Sequence, residues 1–504
     1  MAPEEAEHQL ELFQRPPRYA KLVRPCTVED GIEAIKEDSV SRLYELHSAA
    51  AEAGRFVKFV PASGAASRMF RELLYFQRGE GRDTTWQAVR SLEHDGAGEA
   101  AALVEFIDKL GRFAFYDDLV GVLRERGQGE AVLAPTRSLR QILDALLDAA
   151  GLGYAELPKG LLKFHAYDTG SRTPFEEHLI EAASYARDRE GTSRLHFTVS
   201  PEHRERFLAR FKTIEADYGA AYDTRFEIGY SEQKPSTDTI AVDLENRPLR
   251  DDAGRLRFRP GGHGALIENL NDLGGDLVYV KNIDNVQPDH RKRATLEWKR
   301  LLGGLLVQLQ GNVFESIQRI RETGLEAEQE ESVKRISSVL HVGLNGDLPP
   351  SKADSRRDHL IERLDRPLRV CGVVPNTGEP GGGPFWVRGT DGVVSTQIVE
   401  SAQVDPHDEE QQRIFRSSTH FNPVDLVCAV RNLEGKSYDL HRFIDRDAVI
   451  VTRKSAEGRD LKAQERPGLW NGAMAGWNTV FVEVPIETFS PVKSVLDLLR
   501  PEHQ

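Results

Sequence analysis

Residues 56–70 have the sequence FVKFVPASGAASRMF, in which apolar and β-branched side chains are followed directly by small residues. The first five residues predict a buried strand, because such side chains pack well on a pleated surface. The proline, glycine, alanine and serine residues that follow predict a tight turn, and the segment after them favours a helix. A strand, a turn and a helix in this order form the first unit expected of an α/β sheet.

Beyond Gly153, short apolar runs alternate with helical patterns. This alternation predicts an α/β sheet that binds its ligand at the carboxyl ends of the strands. The segment LVYVKNID fits a central, buried strand. The predicted strands are LLKFH (161–165), LHFTV (195–199), FEIGY (226–230), TIAVD (239–243) and LVYVKNID (277–284), and the predicted helices between them cover residues 174–189 and 201–218.

Several other parts of the chain show helical periodicity, with apolar residues at steps of three and four. One such pattern predicts a helix over 28–53. We therefore divide the chain into an N-terminal helical segment, residues 1–55, and an α/β core, residues 56–504. Helical segments at residues 71–150 and 292–345 interrupt that core. The length of 504 residues exceeds that of one ordinary compact domain, and these insertions account for the excess.

The composition limits the classes of function. The chain has 80 acidic and 66 basic residues and a net charge of -14, which argues against a partner such as nucleic acid or an anionic membrane. The acidic N-terminus lacks a secretory signal, and no apolar run approaches the roughly 18 residues of a membrane span. Three dispersed cysteines do not make a disulfide framework. We expect a cytoplasmic protein whose anionic small-molecule ligand would need a local basic pocket.

The turn after the first strand is a candidate phosphate-binding loop. Its small residues let the backbone approach a phosphate closely, and the N–H groups at the start of the next helix favour an anion. Arg68 would neutralise phosphate oxygens. The alternative is an ordinary strand-to-helix turn with a surface arginine. The candidate binding residues in this loop are Ser63, Gly64, Ala65, Ala66 and Ser67.

Three further features carry candidate chemistry. Lys159, in the segment LPKGLL, is either a phosphate ligand or an ordinary surface lysine. Gly262, His263 and Gly264 precede a helix and would allow a base or ribose to approach the backbone. Asp284 is the last residue of the predicted central strand, where an α/β enzyme places a magnesium ligand. The alternative for these last two features is a glycine turn that caps a helix and an aspartate that forms a turn.

The segment FRPGGHGALIENLNDLGGDLVYVKNIDN resembles the PPGHGD, helix and NIDN segment of UDP-glucose pyrophosphorylases and UDP-N-acetylhexosamine pyrophosphorylases. The loop SGAASRM, the pair Pro158-Lys159 and the segments STQIVESAQV, HFNPVD and TFSPVKSVLDLL resemble other motifs of that family, in the same order. The chain also resembles a bacterial family of unknown function, through PASGAASRMF and GLWNGAMAGWNTVFVEVP. The resemblance implies a mixed sheet of the GT-A-like Rossmann type, as found in nucleotide-diphospho-sugar transferases.

The resemblance also implies roles for particular residues. Gln233 would contact uracil, Glu400 the sugar and Lys493 a phosphate, while Asn422 lies in the motif that matches the substrate site. Asn471 is a candidate for binding sugar hydroxyls, and Asp425, in the HFNPVD segment, is suggested as a second magnesium carboxylate. Asparagine in a loop is also a common turn former.

The implied reaction joins a nucleoside triphosphate, UTP by resemblance, to a sugar 1-phosphate, with Mg²⁺ as cofactor and Arg68, Lys159 and Lys493 as the catalytic cations. A glycosyltransferase that consumes a nucleotide sugar is a second hypothesis, although Asn282 and Asp284 supply one carboxylate where such enzymes use a pair. The loop has Ser63 and Ala66 where the relatives have glycines, so a non-catalytic sensor of nucleotide sugars is a third. The sequence does not define the oligomeric state.

Overall fold

The computed structural model of the protein describes residues 3–64, 66–79, 85–134, 138–323, 327–341, 353–378, 382–456 and 459–504. The helices are Pro3–Gln14 (α1), Val40–Glu52 (α2), Arg71–Gln77 (α3), Trp86–His94 (α4), Gly98–Asp108 (α5), Tyr116–Glu125 (α6), Glu130–Leu133 (α7), Leu139–Leu147 (α8), Pro174–Tyr185 (α9), Arg204–Tyr222 (α10), Leu266–Asp272 (α11), Lys292–Thr323 (α12), Ala327–Val339 (α13), Ala353–Leu364 (α14) and Glu409–Arg416 (α15).

The strands are Leu22–Pro25 (β1), Thr27–Val28 (β2), Gly31–Glu33 (β3), Phe56–Pro61 (β4), His165–Tyr167 (β5), Gly170–Arg172 (β6), Thr192–Thr198 (β7), Arg225–Ser231 (β8), Thr239–Val242 (β9), Phe258–Arg259 (β10), Leu277–Lys281 (β11), Leu368–Pro375 (β12), Gly382–Arg388 (β13), Val394–Glu400 (β14), His420–Ala429 (β15), Ile450–Ala456 (β16), Arg459–Glu465 (β17) and Asn478–Glu483 (β18).

A mixed sheet with the order β2-β3-β18-β12-β15-β11-β4-β7-β8 forms the centre of the fold. Strand β15 pairs antiparallel with both β11 and β12, whereas β11, β4, β7 and β8 pair in parallel. All five residues of β11 are buried, as expected of a parallel strand covered on both faces. The prediction of a mixed α/β fold with a large sheet is therefore confirmed, while its GT-A-like character stays a prediction.

The two faces of the sheet are covered by different helices. On one face, α2, α9, α10 and α12 pack against alternate residues of the strands, including Phe56, Val60 and Tyr279. On the other face, α11 packs on Val278 and Val280. This alternation follows from the two-residue period of a strand, and it determines which side chains of β4 and β11 face each set of helices.

Residues 71–150 have a hydrophobic core of their own. Helices α3 to α8 contribute most of it, and Val492, Val495, Leu498 and Leu499 complete it from the C-terminal end of the chain. The helical character predicted for this region is observed, and the core joins it to a segment more than 300 residues away in sequence. Among the described residues, no helix is both long enough and apolar enough to cross a membrane.

The structure differs from three predictions of local structure, two in the extent of an element and one in the sheet to which a correctly predicted strand belongs. The helix predicted over 28–53 begins only at Val40, because Glu29 and Gly31 have φ angles of 71° and 96° and form a turn between β2 and β3. Residues 1–55 therefore carry strands as well as helices. LLKFH contributes only His165 to a strand, in the two-stranded sheet β5-β6, and TIAVD forms β9 of a separate sheet with β10, β16 and β17.

Candidate functional site

The candidate site lies where the order of strands reverses direction. From β4 the chain continues to β7 and β8 on one side, and it returns to place β11 on the other side of β4. The loops that leave β4 and β11 therefore separate above two neighbouring parallel strands. Such a switch point is where open α/β sheets bind ligands.

Two other segments donate hydrogen bonds to backbone carbonyls of the loop after β4. The Ser63 carbonyl accepts a hydrogen bond from Ser200 Oγ at 3.3 Å, and the Gly64 carbonyl accepts one from the Lys159 N–H at 3.2 Å. Ala66–Arg68 then form a single 3-10 turn that contains Ser67. The Arg68 side chain is exposed, whereas Ala65 lies outside the described residues.

Lys159 lies beside Asp284 at this switch point. Pro158 directly precedes a short 3-10 turn, Lys159–Leu161, that presents the lysine to the loops. Lys159 Nζ donates to Asp284 Oδ2 at 2.9 Å and to the Val492 carbonyl at 2.8 Å. The lysine side chain is 12% exposed and that of the aspartate 21%, so the ammonium group is held between two acceptors with limited access to water.

The C-terminal segment brings Lys493 to the same place. The Val492 N–H donates to the Asp284 carbonyl at 3.1 Å, and the Val495 N–H donates to the Met69 carbonyl at 3.0 Å. Lys493 lies between these two contacts and has an exposed side chain. Four segments that are distant in sequence therefore meet at the switch point.

Together these segments place three cations, Arg68, Lys159 and Lys493, around the loops that also carry Asp284. The protein as a whole has a net charge of -14. Basic residues that meet in an acidic protein would favour a small polyanion, because cations offset the repulsion of the surrounding carboxylates. Lysine and arginine also provide the donors that phosphate oxygens accept.

A second group of predicted residues surrounds His263. Its ring stacks on Trp470 with the centroids 4.3 Å apart, and Trp470 Nε1 donates to Glu400 Oε1 at 3.0 Å. His263 Nδ1 accepts from the Leu469 N–H at 3.1 Å, so the ring proton is on Nε2, which is 3.9 Å from Glu400 Oε1. Burial lowers the pKa of His263, which favours this neutral form.

The glycines beside His263 are needed for this packing. Gly262 has a φ of 75°, and a Cβ atom on Gly264 would lie 2.1 Å from the Pro467 carbonyl oxygen. Asn471 Nδ2 donates to Gln403 Oε1 at 2.9 Å in the same region. Of the residues predicted to bind nucleotide or sugar, the structure thus groups Gly262, His263, Gly264, Glu400 and Asn471.

Two predicted residues have structural contacts instead. Asn422 is buried in β15, where its side chain donates to the Gly372 carbonyl and accepts from the Val424 N–H. Asp425 lies on the sheet face covered by α12 and is bonded to Lys299. The suggested role of Asp425 as a second magnesium carboxylate stays a prediction, and in the structure this carboxylate is paired with a buried lysine.

Gln233 follows β8, two strands from β4 in the sheet. Its Nε2 atom is buried and has no hydrogen-bond partner in the described parts of the chain. A buried donor without a partner costs free energy, so a ligand carbonyl at this position would be stabilising. The predicted role in base recognition stays a prediction.

The residues around Asp284 fit a magnesium ion that takes most of its ligands from substrate and water. The described part of the chain contains no group of three or more His, Cys, Asp or Glu residues arranged to hold a metal. Asp284 Oδ2 is bonded to Lys159, whereas Oδ1 has no hydrogen bond to any described residue. One carboxylate oxygen fits Mg²⁺ that takes its other ligands from substrate phosphates and water.

A group of buried ionisable residues below the switch point is not among the residues predicted from sequence. Their signal was present in α9, whose sequence PFEEHLIEAASY has glutamates within an otherwise apolar helix. A capping box between Thr173 and Glu176 begins the helix, with Pro174 in its first turn. Buried charges need partners, and this helix contains several buried charged residues and contacts others. The buried residues are Lys58, Glu177, His178, Glu181, Lys281, Lys292 and Lys299.

The fold and the site define a mixed α/β protein in which Arg68, Lys159, Asp284 and Lys493 lie on segments that meet at the switch point of the central sheet. The chain belongs to the family described as a domain of unknown function (DUF4301), whose model matches residues 1–504. No curated protein gives a significant match.

Solved structures similar to this chain include several pyrophosphorylases. UDP-N-acetylglucosamine pyrophosphorylase from Trypanosoma brucei, in complex with an inhibitor, is 12% identical with a TM-score of 0.48, covering 98% of this chain and 74% of that one. A putative UDP-N-acetylglucosamine pyrophosphorylase from Entamoeba histolytica is 11% identical with a TM-score of 0.42, covering 92% and 84%. A mutant UDP-glucose pyrophosphorylase from Leishmania major, in complex with UDP-glucose, is 13% identical with a TM-score of 0.41, covering 98% and 73%.

Proposed function

We propose that the protein is a nucleotidyltransferase that joins a nucleoside triphosphate to a sugar 1-phosphate and releases pyrophosphate. The observation that carries this proposal is the contact of Lys159 with Asp284 and Val492, because it joins the predicted Pro-Lys, NIDN and PVK motifs at one switch point. These motifs lie more than 100 residues apart in sequence. Their meeting at one point supports a common role in binding phosphate.

In this reaction an oxygen of the sugar 1-phosphate forms a bond to the α-phosphorus of the triphosphate. The bond between that phosphorus and the bridging oxygen to the β-phosphate breaks, and pyrophosphate leaves with the electron pair. The attacking oxygen is already anionic, so the reaction needs positioning and charge neutralisation more than a strong base.

The residues at the switch point match these two needs. Arg68 and Lys493 are exposed cations on separate segments, which suits them to bind the leaving pyrophosphate and the attacking phosphate. Lys159, already hydrogen-bonded to Asp284, would turn one N–H toward the oxygens of the α-phosphate. Asp284 Oδ1 would hold Mg²⁺ together with substrate phosphates, and the ion would offset their charge.

We assign uridine as the preferred base and the region of His263, Glu400 and Asn471 to the nucleotide sugar. The support for uridine is the motif that contains Gln233 and its buried, unpartnered Nε2 donor. Trp470 stacked on His263 provides an apolar ring face, and Glu400 and Asn471 provide polar groups, a combination typical of sugar sites.

The test is pyrophosphate release with Mg²⁺, four nucleoside triphosphates and a panel of sugar 1-phosphates. We expect turnover with UTP and at least one sugar 1-phosphate, and its loss in Lys159→Met purified in parallel, which excludes a contaminating enzyme. Folded protein that releases no pyrophosphate with any pair would refute the proposal. Tight binding of a UDP-sugar without turnover would instead identify a sensor, and sugar transfer from it would identify a glycosyltransferase.

A further inference from the structure

Helix α9 lies below the switch point and presents one carboxylate to both strands that flank it. Glu181 Oε2 accepts a hydrogen bond from Lys58 Nζ at 2.7 Å, and Oε1 accepts one from Lys281 Nζ at 2.8 Å. The three side chains are at most 1% exposed. Lys58 is the third residue of β4 and Lys281 is the last residue of β11, so the glutamate bridges the middle of β4 and the end of β11.

The same helix also contacts the loop that carries Asp284. His178, one turn before Glu181, has Nε2 3.2 Å from the Ile283 carbonyl oxygen, and its own carbonyl accepts from Lys58 Nζ at 3.2 Å. The Ile283 N–H in turn donates to the Pro61 carbonyl at 3.3 Å. Helix α9 thus contacts β4, β11 and the peptide unit that precedes Asp284.

Stability alone is a weak explanation for this arrangement. Burial raises the pKa of Glu181, but the ammonium groups of Lys281 and Lys58 outweigh it and hold the pKa well below its usual range, so the carboxylate is ionised. Buried ion pairs are often no more stabilising than apolar residues of similar volume. What a carboxylate adds is geometry, because each oxygen fixes the position of one lysine and hence of one strand.

We propose that Glu181 is a positioning residue, which holds β4 and the end of β11 in register so that Ser63, Arg68 and Asp284 face one substrate correctly. This inference rests on the proposed function for its effect on turnover. Its structural part, the fixed relation of the two loops, is independent of the reaction.

The test compares Glu181→Gln with Glu176→Gln, which removes a buried carboxylate from the same helix. Glu176 is 2% exposed and accepts from Arg210 at 2.7 Å and from Tyr218 at 2.9 Å, both on α10. We expect both variants to lower the melting temperature. Only Glu181→Gln should lower kcat, by about 10- to 100-fold, because misplacement by about 1 Å costs about that much. Its KM should change by less than kcat.

Hydrogen exchange of the amides in residues 282–286 gives a readout without turnover. We expect faster exchange there in Glu181→Gln and exchange as in the wild type in Glu176→Gln, since only Glu181 reaches β11. If the wild type lacks turnover, the proposed function fails and the exchange result still decides the positioning role.

A second variant covers the case in which Glu181→Gln does not fold. Lys58→Met, Glu181→Leu and Lys281→Met combined keep the buried volume while removing the charges, and such replacements usually fold. We expect this triple variant to have a melting temperature near that of the wild type, faster exchange at 282–286 and reduced kcat. Wild-type exchange in the folded triple variant or in Glu181→Gln, or an equal loss of kcat in Glu176→Gln, would overturn the proposal.

Discussion

Replacing Lys159 with methionine tests the centre of the candidate site. Methionine keeps the unbranched shape and removes the ammonium group, which donates to Asp284 at 2.9 Å and to the Val492 carbonyl at 2.8 Å. At an effective dielectric constant of about 20, the gross attraction across 2.9 Å is about 6 kcal/mol. Loss of hydration offsets much of it, because the two side chains are only 12% and 21% exposed.

The net loss of stability should match that of one charged hydrogen bond, about 1.5 to 3 kcal/mol. The cost in activation free energy should be larger than this loss of stability. Removing one positioned donor to developing charge costs about 2.7 to 4 kcal/mol, or about a hundred- to a thousandfold in kcat. The two quantities are measured by urea unfolding and by pyrophosphate release with UTP and a sugar 1-phosphate.

Lys163→Met is the matched control. Lys163 Nζ is 2.6 Å from Asp118 Oδ2 at a more exposed position, and this pair does not contact Asp284 or Val492. We expect the control to lose at most about 1 kcal/mol of stability, as is usual for exposed pairs, and to keep its turnover. Turnover in Lys159→Met within about twofold of the control would refute the assignment of Lys159 to the reaction.

Three further predictions concern other parts of the structure. Lys493→Ala should lower kcat by about a hundred- to a thousandfold in the pyrophosphate assay. It should lower the free energy of unfolding by at most about 1 kcal/mol, as is usual for an exposed charged side chain. Gly264→Ala should lower the free energy of unfolding in urea by about 1 to 3 kcal/mol, because its Cβ would lie 2.1 Å from the Pro467 carbonyl oxygen. Burial and the neighbouring His165 lower the pKa of His503 from 6.5 to about 3, so below pH 6.5 the unfolded chain binds a proton that the folded chain does not. Stability should therefore fall between pH 6.5 and about 3, and His503→Asn should show a smaller fall in urea unfolding over that range.

The central strands and the position of Asp284 could be predicted from sequence because both depend on local pattern. The runs FVKFV and LVYV are buried strands, and a polar residue after such a strand lies at the edge of the sheet. The turn at Glu29 and Gly31 could not be predicted in the same way, since helical periodicity does not report a positive φ angle.

The pairing of Asp425 with Lys299 could not be predicted from local pattern. Asp425 lies in β15, where alternate residues face opposite sides of the sheet. Sequence determines that alternation but does not say which side the site occupies. Leu426 and Cys428 face α11, and Asp425 therefore faces α12 and Lys299. Likewise, the bond from Lys159 to Val492 joins residues 333 positions apart, a relation that local pattern does not contain.

The helical insertion is part of the site's construction, although none of its helices supplies a predicted ligand. Its core buries Val492 and Val495, the residues on either side of Lys493 and Ser494, to 0% and 3% exposure. The Val495 N–H is bonded to Met69, next to Arg68. Packing against the insertion therefore fixes the backbone from which Lys493 projects and ties it to the loop after β4. Because a cation on an unrestrained segment would pay its ordering entropy when the substrate binds, a core that orders the segment in advance favours both binding and turnover.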